Sequence, residues 1–424
     1  MKKRIIVVGA GFAGLTVTKA FSGADVEIIL IDKVNHHLFQ PLLYQVAIAA
    51  LSPGDIAAAI RVILRKQKNA RVIMGEVTRF DVDKKRVYLQ DCFYEYDYLV
   101  VATGVTNCYY GNDSWEEFAP GLKTLKDALC IREKILVSFE KAECTSDKDV
   151  QRKLMTFVVV GAGPTGVEIA GSLAELSKRA MRGDYKRIET SRTRIVLIEA
   201  LDRVLYTFDP TLSTAAQNAL ERLGVEIQLN KKITNIDSHG VWMKDELIET
   251  QNILWAAGTM APPLVQSLGA STDRAGRLQV ERDLSIKNHP EVFAIGDVAQ
   301  FSADNKPLPA LAPVAVQQGK YVADIINRGL TSNQRSSFKY KDKGILAVIG
   351  RAKGVLQSGR IKLHGFPAWL AWVFIHIMVL VQFRNRYKVL SEWIWYYFTN
   401  RHGVRLITGQ CLDDSKEFSE RDCV

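Results

Sequence analysis

The sequence predicts an α/β fold in which one strand–turn–helix unit occurs twice and an apolar helical segment follows. Three observations lead to this prediction. An apolar run enters a glycine-rich turn at residues 4–14, the same pattern returns at 157–166, and residues 366–383 carry no charge. Short apolar runs rich in β-branched residues are typical of strands buried on both faces of a parallel sheet. At 424 residues the chain is long enough for two or three domains.

The first unit has the spacing of a dinucleotide-binding turn. Gly9, Gly11 and Gly14 form Gly-x-Gly-x-x-Gly directly after the strand, and a helix pattern continues to Ala20. The three glycines allow a tight turn, close approach of the backbone to a pyrophosphate, and close packing of helix on strand. A second strand ends at Asp32, about where an acidic side chain meets an adenosine ribose. Because a helix N-terminus favours phosphate, the unit predicts a bound dinucleotide.

The second unit repeats this arrangement. Gly161, Gly163 and Gly166 follow an apolar strand, and the next strand ends at Glu199 after a basic insertion at 178–194. Two such units imply two dinucleotides; a duplication with one inactive site is the alternative. A tightly held flavin and a diffusing nicotinamide are the expected pair, since together they perform hydride transfer.

Three further strands end in small residues. Thr103-Gly104 follows one strand, Gly258 ends a second, and Gly296-Asp297 ends a third. Such turns suit close backbone approach to a cofactor, although any tight turn has a similar composition. The acid of the third turn can hold a ribityl hydroxyl, with turn capping as the alternative.

Two predicted helices and one aromatic segment contain further candidate site residues. A helix over Ala310–Asn327 contains Gln317 and Gln318, and Leu51–Lys66 is predicted to be a second helix, opened by Ser-Pro-Gly-Asp. Residues 35–46 are apolar and aromatic but contain two histidines and a proline. They leave the first unit at the ligand end of its sheet, so they either cover the flavin or simply cover the core.

The predicted organisation is two dinucleotide-binding (Rossmann-like) domains, the second inserted in the first, plus a C-terminal membrane-associated helical segment. The boundaries we predict are 1–110 and 280–345 for the first domain, 111–279 for the second, and 346–424 for the C-terminal region with its acidic tail.

The net charge of +10 is concentrated rather than spread. Between Arg351 and Gln410 nine lysines and arginines face one acid, whereas Cys411–Val424 holds five acids and two bases. This pattern favours a surface or partner over general binding of nucleic acid. No signal peptide precedes the first strand, so we expect a cytosol-like compartment.

The cysteines exclude two related chemistries. All six lie outside residues 1–91 and 145–410, and none forms C-x-x-C. A disulfide reductase needs a dithiol close to its flavin, and a sulfide-oxidising relative needs cysteines in the later half. The spacing also predicts neither a zinc site nor a disulfide framework.

Several motifs, in the same order along the chain, resemble those of the type II NADH:quinone oxidoreductases. The nucleotide motifs alone fit a wider superfamily, and the segment from His37, the glutamine pair and the hydrophobic C-terminal part narrow the resemblance. The motifs are Gly9–Gly14, His37–Val46, Gly161–Glu168, Ala256–Gly258, Phe293–Asp297 and Ala315–Gly319.

This resemblance implies a single-subunit, non-proton-pumping respiratory dehydrogenase with non-covalent FAD. NADH would reduce the flavin, and the flavin would reduce a membrane quinone. Carried over by position, the residues that would bind FAD are Gly9, Gly11, Gly14, Asp32, Thr103 and Asp297, and those that would bind NADH are Gly161, Gly163, Gly166 and Glu199.

The resemblance also implies residues for the quinone half-reaction. Gln317 and Gln318 would line the quinone pocket, and Glu168 would lie between the nicotinamide and quinone sides. Glu168 is either a proton donor, because burial raises a carboxyl pKa, or only a nicotinamide ligand. No calcium-binding loop of the EF-hand type is found in the sequence, so calcium control is not expected.

The uncharged stretch Phe366–Phe383 predicts attachment to a membrane surface. At about 1.5 Å per residue it reaches about 27 Å, short of a bilayer core of roughly 30 Å. Basic residues flank it, and an aromatic run follows at 393–398. A dimer interface and a true span are the alternatives. We therefore expect a peripheral homodimer on the cytoplasmic face of the cell membrane.

Two readings from other functional classes stay open. A flavoprotein electron carrier for a soluble iron–sulfur partner would keep both nucleotide units but would gain nothing from an apolar C-terminal part. A catalytically silent, NAD-sensing membrane adaptor would keep the nucleotide units as well as the apolar C-terminal part.

Overall fold

The computed structural model describes residues 2–303, 306–399 and 403–409. It contains two compact units. The first comprises Met1–Leu38, Ala57–Thr106 and Thr259–Lys343, and the second comprises Phe39–Ile56, Asn107–Gly258 and Gly344–Val424. The predicted domain boundaries remain predictions, and the acidic tail with Cys411 and Cys423 lies outside the described residues.

The first unit is built on a six-stranded sheet that buries apolar side chains on both faces. Its central strands pair in parallel, as the β-branched sequence of Lys3–Val8 predicts. Only Ser285–Ile286 at one edge runs antiparallel to its neighbour. The strand order is Ser285–Ile286, His289–Ala294, Tyr98–Val101, Lys3–Val8, Val26–Asp32 and Ala70–Met74.

Smaller sheets complete the first unit. One antiparallel sheet joins Arg79–Asp81, Arg86–Tyr88 and Phe93–Glu95. A short antiparallel ladder joins His36–Leu38 to Ala57–Ala59.

The second unit repeats the parallel architecture with four strands. All three neighbouring pairs are parallel, and Thr156–Val160 is buried throughout. The order is Val225–Gln228, Arg194–Ile198, Thr156–Val160 and Asn252–Trp255. This is half of a doubly wound sheet, in which ligands bind at the carboxyl ends of the strands.

Two antiparallel sheets extend the second unit. One contains Asn235–Asp237, Gly240–Met243 and Glu246–Glu249. The other contains Ile345–Gly350, Lys353–Ser358 and Ile361–Gly365, with Ile345–Gly350 as an edge strand.

The α-helices are numbered along the chain. They are α1 Phe12–Ala20, α2 Leu43–Ala47, α3 Pro53–Ile56, α4 Ile60–Leu64, α5 Leu125–Cys144, α6 Lys148–Leu154, α7 Pro164–Glu175, α8 Pro210–Arg222, α9 Ala312–Asn327, α10 Phe366–Val379 and α11 Phe383–Thr399.

The predicted helix Leu51–Lys66 is wrong as a single element. The structure has α3, then the strand Ala57–Ala59, then α4. The three alanines are extended because they pair with His36–Leu38, a non-local contact that overrides the helix propensity of alanine. Helix α9 begins two residues later than predicted.

The predicted C-terminal helical segment is confirmed, with a break inside its apolar run. Helix α10 ends at Val379, and α11 begins at Phe383 after Gln382, whose φ is 72°. Pro367 lies in the first turn of α10, where a missing N–H has no cost. Within the part of the chain that the structure describes, every helix is too short or too polar to cross a bilayer.

The cysteines differ in one respect from the prediction. Cys92 and Cys108 are free, but Cys130 is disulfide-bonded, which the spacing of the cysteines did not predict.

Candidate active site

The first glycine turn lies against the end of a neighbouring strand in the first unit. Gly9 has a φ of 100°, and a side chain there would overlap the carbonyl of Ala102. Gly11 caps α1 without a side-chain hydrogen bond, and a Cβ on it would meet no atom within 4 Å. The turn therefore leaves the helix N–H groups and open space where a pyrophosphate would bind.

Asp32 fixes this turn from the end of the second strand. One carboxylate oxygen accepts the N–H of Ala10 at 2.6 Å, and the other accepts the N–H of Val34 at 2.9 Å. A carboxylate has further lone pairs, so both oxygens can still accept ribose hydroxyls.

In the first unit, Nε2 of His37 and the hydroxyl of Thr103 are buried polar atoms that could hydrogen-bond to a bound flavin nucleotide. His37 is buried, and its Nδ1 lies 2.8 Å from the carbonyl of Ala10 in the glycine turn. Its Nε2, like the hydroxyl of Thr103, has no hydrogen-bond partner among the described residues. Burial lowers the pKa of His37. Orphaned polar atoms are rare in native proteins, so a ligand that hydrogen-bonds to them explains both.

The turn at Gly296 packs against the same helix. A Cβ on Gly296 would lie 3.2 Å from that of Ala13 in α1, and its φ of 75° favours glycine. Its N–H donates to Oε1 of the buried Gln318 at 2.7 Å. Asp297 follows within the 3-10 turn Gly296–Val298. The structure thus brings Gly296, Asp297 and Gln318 to the N-terminal end of α1.

Gln317 points elsewhere. Its amide nitrogen donates to the carbonyl of Lys341 at 3.0 Å, and its oxygen accepts the N–H of Lys341 at 2.9 Å. The two glutamines therefore have different partners, as residues about 100° apart on a helix must. Their role in the quinone half-reaction stays a prediction.

The second unit has the same turn geometry as the first. Gly161 has a φ of 95°, and a Cβ on it would lie 2.9 Å from the backbone of Ala256. Glu199 accepts the N–H of Ala162 at 2.7 Å and that of Leu201 at 3.0 Å. The acid after the second strand therefore does the same work in both units.

The other predicted nucleotide-binding residues of the second unit lie around this turn. Gly163 caps α7 without a side-chain hydrogen bond, and Gly166 packs against the carbonyl of Gly161. Gly258 has a φ of 92°, and the phenol of Tyr110 lies directly on it. Their role in binding NADH stays a prediction.

Helix α7 continues from this turn along the free edge of Ile345–Gly350. Glu168 accepts the N–H of Val348 at 3.4 Å, and Glu175 accepts the N–H of Arg351 at 2.8 Å. Between them Gly171 allows contact, because a Cβ there would overlap the carbonyl of Ile349. Seven residues are close to two helical turns, so both acids share one face of α7.

Both carboxyls are held in an environment that disfavours charge. Burial raises the pKa of Glu168 to about 8, against the opposing effect of the Val348 N–H. Burial also raises the pKa of Glu175, against hydrogen bonds from Arg351 and Tyr396 and the charges of Arg179 and Lys353. A raised pKa suits a carboxyl for proton transfer, because it favours the protonated form that can donate.

An aromatic pocket opens beside Glu175, entirely within the second unit. Its walls come from α2, α7, the edge strand, α10 and α11. The lining includes Tyr44, Gln45, Glu175, Trp372, Trp393 and Tyr396.

Two hydrogen bonds order the polar side of this pocket. Gln45 is buried and donates to the hydroxyl of Tyr44 at 2.9 Å, while its oxygen accepts the indole N–H of Trp393 at 2.7 Å. Burial, followed by the charges of Glu168 and Glu175, raises the pKa of Tyr44. The phenol therefore stays neutral and lies within electrostatic reach of both acids.

Trp372 offers an unused donor in the same wall. It stacks on His376 with 4.2 Å between ring centroids and packs against the tilted ring of Trp393 at 5.0 Å. Its indole nitrogen is buried and, within the described ranges, has no hydrogen-bond partner. Burial lowers the pKa of His376 to about 4, so that ring is neutral.

Sequence reasoning missed Glu175, Trp372 and Tyr396. The spacing of seven between Glu168 and Glu175 was visible, but it carries meaning only once the edge strand that both acids contact is known. Tyr44 and Gln45 lay inside the aromatic segment 35–46 that the sequence singled out.

Comparison with known proteins adds the family. The family model described as pyridine nucleotide-disulphide oxidoreductase matches residues 3–319. A type II NADH:quinone oxidoreductase of Mycobacterium tuberculosis is 42% identical, with 97% of this chain and 90% of the relative covered. A type II NADH:quinone oxidoreductase of Staphylococcus haemolyticus is 30% identical, with 84% and 89% covered.

Solved structures agree on the fold. NDH2 of Plasmodium falciparum, solved in complex with NADH, gives a TM-score of 0.87 at 21% identity over 95% of this chain and 99% of that one. A sulfide:quinone oxidoreductase of Aquifex aeolicus gives 0.72 at 18% identity over 94% and 96%. Identity of 42% over nearly the full length of a named relative confirms what the motifs predicted. This chain belongs to the type II NADH:quinone oxidoreductase family.

Proposed function

We propose that this NADH:quinone oxidoreductase uses FAD in the first unit to oxidise NADH and to reduce a membrane quinone, without pumping protons. Support comes from the two matching turns, each with an uncapped helix N-terminus and an acid that holds the turn. FAD when bound would supply the two-electron chemistry, accepting hydride and reducing the quinone. The chain's own residues bind, orient and supply protons.

The aromatic pocket is the observation that carries the quinone assignment. A quinone ring is flat and apolar, and its two carbonyl oxygens accept hydrogen bonds. The pocket offers flat indole and phenol walls, the unused N–H of Trp372 and the buried acid Glu175. Apolar walls with a few placed polar groups are typical of small-molecule sites.

Glu168, Gln317 and Gln318 are proposed as catalytic residues with separate tasks. Glu168, with a pKa of about 8, would exchange a proton near neutral pH or hold the nicotinamide end of NADH. Gln318 would keep the Gly296-Asp297 turn in place for FAD, since it already accepts the Gly296 N–H. Gln317 would act from the adjacent position of α9.

We further propose that α10 and α11 attach the protein to the cytoplasmic face of the cell membrane. Ala368, Trp372 and His376 are buried at intervals of four, whereas Leu370, Phe374 and Met378 are exposed at the same interval. Helix α10 therefore buries one stripe and presents an apolar stripe outward. Such a face, flanked by basic residues, suits an anionic lipid surface. A homodimer that uses part of this face is proposed as well.

The test is a purified holoprotein assayed with two acceptors, a water-soluble quinone and an iron–sulfur protein. A flavin absorbance spectrum, release of FAD on denaturation, and oxidation of NADH with a water-soluble quinone are the expected results. Activity with an iron–sulfur protein but none with quinone would favour the soluble-carrier alternative. Absence of any NADH oxidation would favour the adaptor alternative. Proteoliposomes that oxidise NADH without acidifying their lumen would support the lack of pumping.

A further inference from the structure

The proposed reaction needs one proton from water in every turnover. A quinone becomes a quinol by taking up two electrons and two protons. NADH delivers both electrons and one hydrogen as hydride, so NADH + H⁺ + quinone gives NAD⁺ + quinol. The proposed quinone pocket therefore requires a group that passes one proton from solvent to the quinone.

Glu175 connects the pocket to the protein surface through its two oxygens. Oε2 accepts the phenol of Tyr396 at 3.2 Å, and both residues line the pocket. Oε1 accepts the N–H of Arg351 at 2.8 Å and lies 3.5 Å from Nη1 of Arg179. The Glu175 side chain is 7% exposed, whereas that of Arg179 is 46% exposed. One end of the carboxyl thus faces the site and the other faces the solvated rim.

We propose that Glu175 relays this proton from solvent at the Arg179 rim to the quinone in the aromatic pocket, an inference that rests on the proposed function. Glu175 gives its proton to a quinone oxygen, directly or through Tyr396, as the two electrons arrive. It then takes a new proton from water at the rim, so the carboxyl returns to its starting state.

A purely structural role explains the arrangement less well. Bonding the free N–H of an edge strand requires only a carbonyl oxygen, which glutamine provides without a charge. Burial of a carboxyl is costly unless it is paired, and the pairing cation, Arg179, lies 3.5 Å away with a side chain that is 46% exposed. The groups that face Glu175 are Arg179, Arg351, Lys353, Tyr396, Tyr44 and Glu392.

The test compares acceptors that do and do not take up protons. Ferricyanide takes one electron and no proton, so NADH:ferricyanide activity reports the first half-reaction alone. In the holoenzyme, Glu175→Gln should lower kcat with quinone by about 10²- to 10⁴-fold, the scale of general acid catalysis, and leave ferricyanide activity unchanged. The solvent deuterium isotope effect on quinone turnover should rise.

The pH profile separates proton transfer from packing. In wild type the quinone kcat should fall as pH rises, because the raised pKa keeps Glu175 protonated below that point and the donor is lost above it. Glu175→Gln should flatten this limb, Glu175→Asp should restore part of it, and Tyr396→Phe should lower kcat by a smaller factor.

Glu140→Gln is the matched control, because Glu140 accepts the phenol of Tyr185 at 2.9 Å but lies outside the pocket. It should leave both activities unchanged. Wild-type quinone kcat and pH profile in Glu175→Gln, or an equal loss with ferricyanide, would overturn the proposal. Wild-type protein that reduces ferricyanide but no quinone would instead contradict the proposed function itself.

Discussion

At the residue scale, Asp32 and Glu199 hold equivalent backbone positions in the two units. Each accepts the N–H of the alanine inside its glycine turn and the N–H two residues after itself. A carboxylate fixed in this way presents negative charge where the adenosine ribose of a dinucleotide would lie. The acid therefore shapes the turn, and we expect it to select the ribose as well.

This geometry predicts a strong preference for NADH over NADPH. A 2′-phosphate beside Glu199 would meet like charge, and Arg203 is directed towards Tyr206, with its guanidinium 4.3 Å from that ring and one nitrogen donating to the Tyr206 carbonyl at 3.1 Å. An uncompensated charge costs roughly 3–5 kcal/mol when buried, and the half-buried Glu199 favours the lower end, about 100-fold in kcat/KM. Steady-state kinetics with both nucleotides check this, and equal kcat/KM values would contradict it.

Glu168 predicts a pH-dependent stability. Its pKa is about 8 in the folded state, against 4.5 for an unperturbed glutamic acid, so the folded state holds its proton more tightly. The contribution of Glu168 to the free energy of unfolding is therefore fully present below pH 4.5 and is lost as pH rises through 8. Glu168→Gln should match wild type at pH 5 and be more stable at pH 9, by about 2 kcal/mol after allowance for partial exposure. Urea unfolding at both pH values measures it; a pH-independent difference would contradict the assignment.

The glutamine pair predicts two distinguishable variants. Gln318→Ala removes the acceptor of the Gly296 N–H, so we expect weaker FAD retention together with slower quinone turnover. Gln317→Ala should keep FAD and slow only quinone turnover, while stopped-flow reduction of the flavin by NADH stays normal. If both half-reactions fall together in Gln317→Ala, the residue is structural.

At the element scale, the contact of α7 with the edge strand depends on one glycine. A Cβ on Gly171 would overlap the carbonyl of Ile349, and the atoms it would meet belong to the backbone rather than to a flexible side chain. Gly171→Ala should therefore lower the free energy of unfolding by about 1–3 kcal/mol, the usual cost of overpacking. It should also disturb the Glu168 and Glu175 contacts on either side.

Gly54→Ala serves as the control for this substitution. Gly54 lies in α3, and a Cβ on it would meet no atom within 4 Å. Thermal unfolding of the two variants with FAD content matched gives the comparison. An equal shift in melting temperature for both would show that the α7 contact is not tight.

Elements set by local pattern were predictable, and elements set by distant pairing were not. Both glycine turns follow from spacing within ten residues, so their geometry agrees with the prediction. Ala57–Ala59 is a strand only because His36–Leu38 lies beside it, and no local signal reveals that. The apolar run from Phe366 likewise hides the break at Gln382, because hydropathy carries no information on a single positive φ.

At the scale of the whole molecule, the sequence predicted the ligand classes better than the quinone pocket. Each predicted dinucleotide site is announced by one continuous glycine motif. The pocket instead gathers α2, α7, the edge strand, α10 and α11, from residues 44 to 397. Glu175 and Trp372 have no motif of their own, since each acquires its chemistry from neighbours far along the chain. Such sites require tertiary structure before they can be recognised.

The outward face of α10 and α11 carries the last prediction. Phe374, Phe383 and Phe398 are 65%, 83% and 77% exposed, while Trp372 is 2% exposed on the opposite side of α10. Truncation before Gly365 should release the protein from membranes, but it also removes a wall of the pocket. Phe374→Gln with Phe383→Gln and Phe398→Gln in the full-length chain changes only the outward face. Loss of about 150–250 Å² of aromatic surface per residue should release most of the protein from vesicles.

Vesicle flotation with anionic and neutral lipids measures this release, and NADH:ferricyanide activity confirms an intact holoenzyme. Met74→Gln with Phe93→Gln is the control, because both side chains are exposed and apolar but belong to the first unit. The control should bind vesicles as strongly as wild type does. Both proteins should bind neutral vesicles more weakly than anionic ones, because the basic residues that flank α10 are attracted to an anionic surface. A triple variant that still floats but sediments as a monomer would show that these helices form the dimer interface instead.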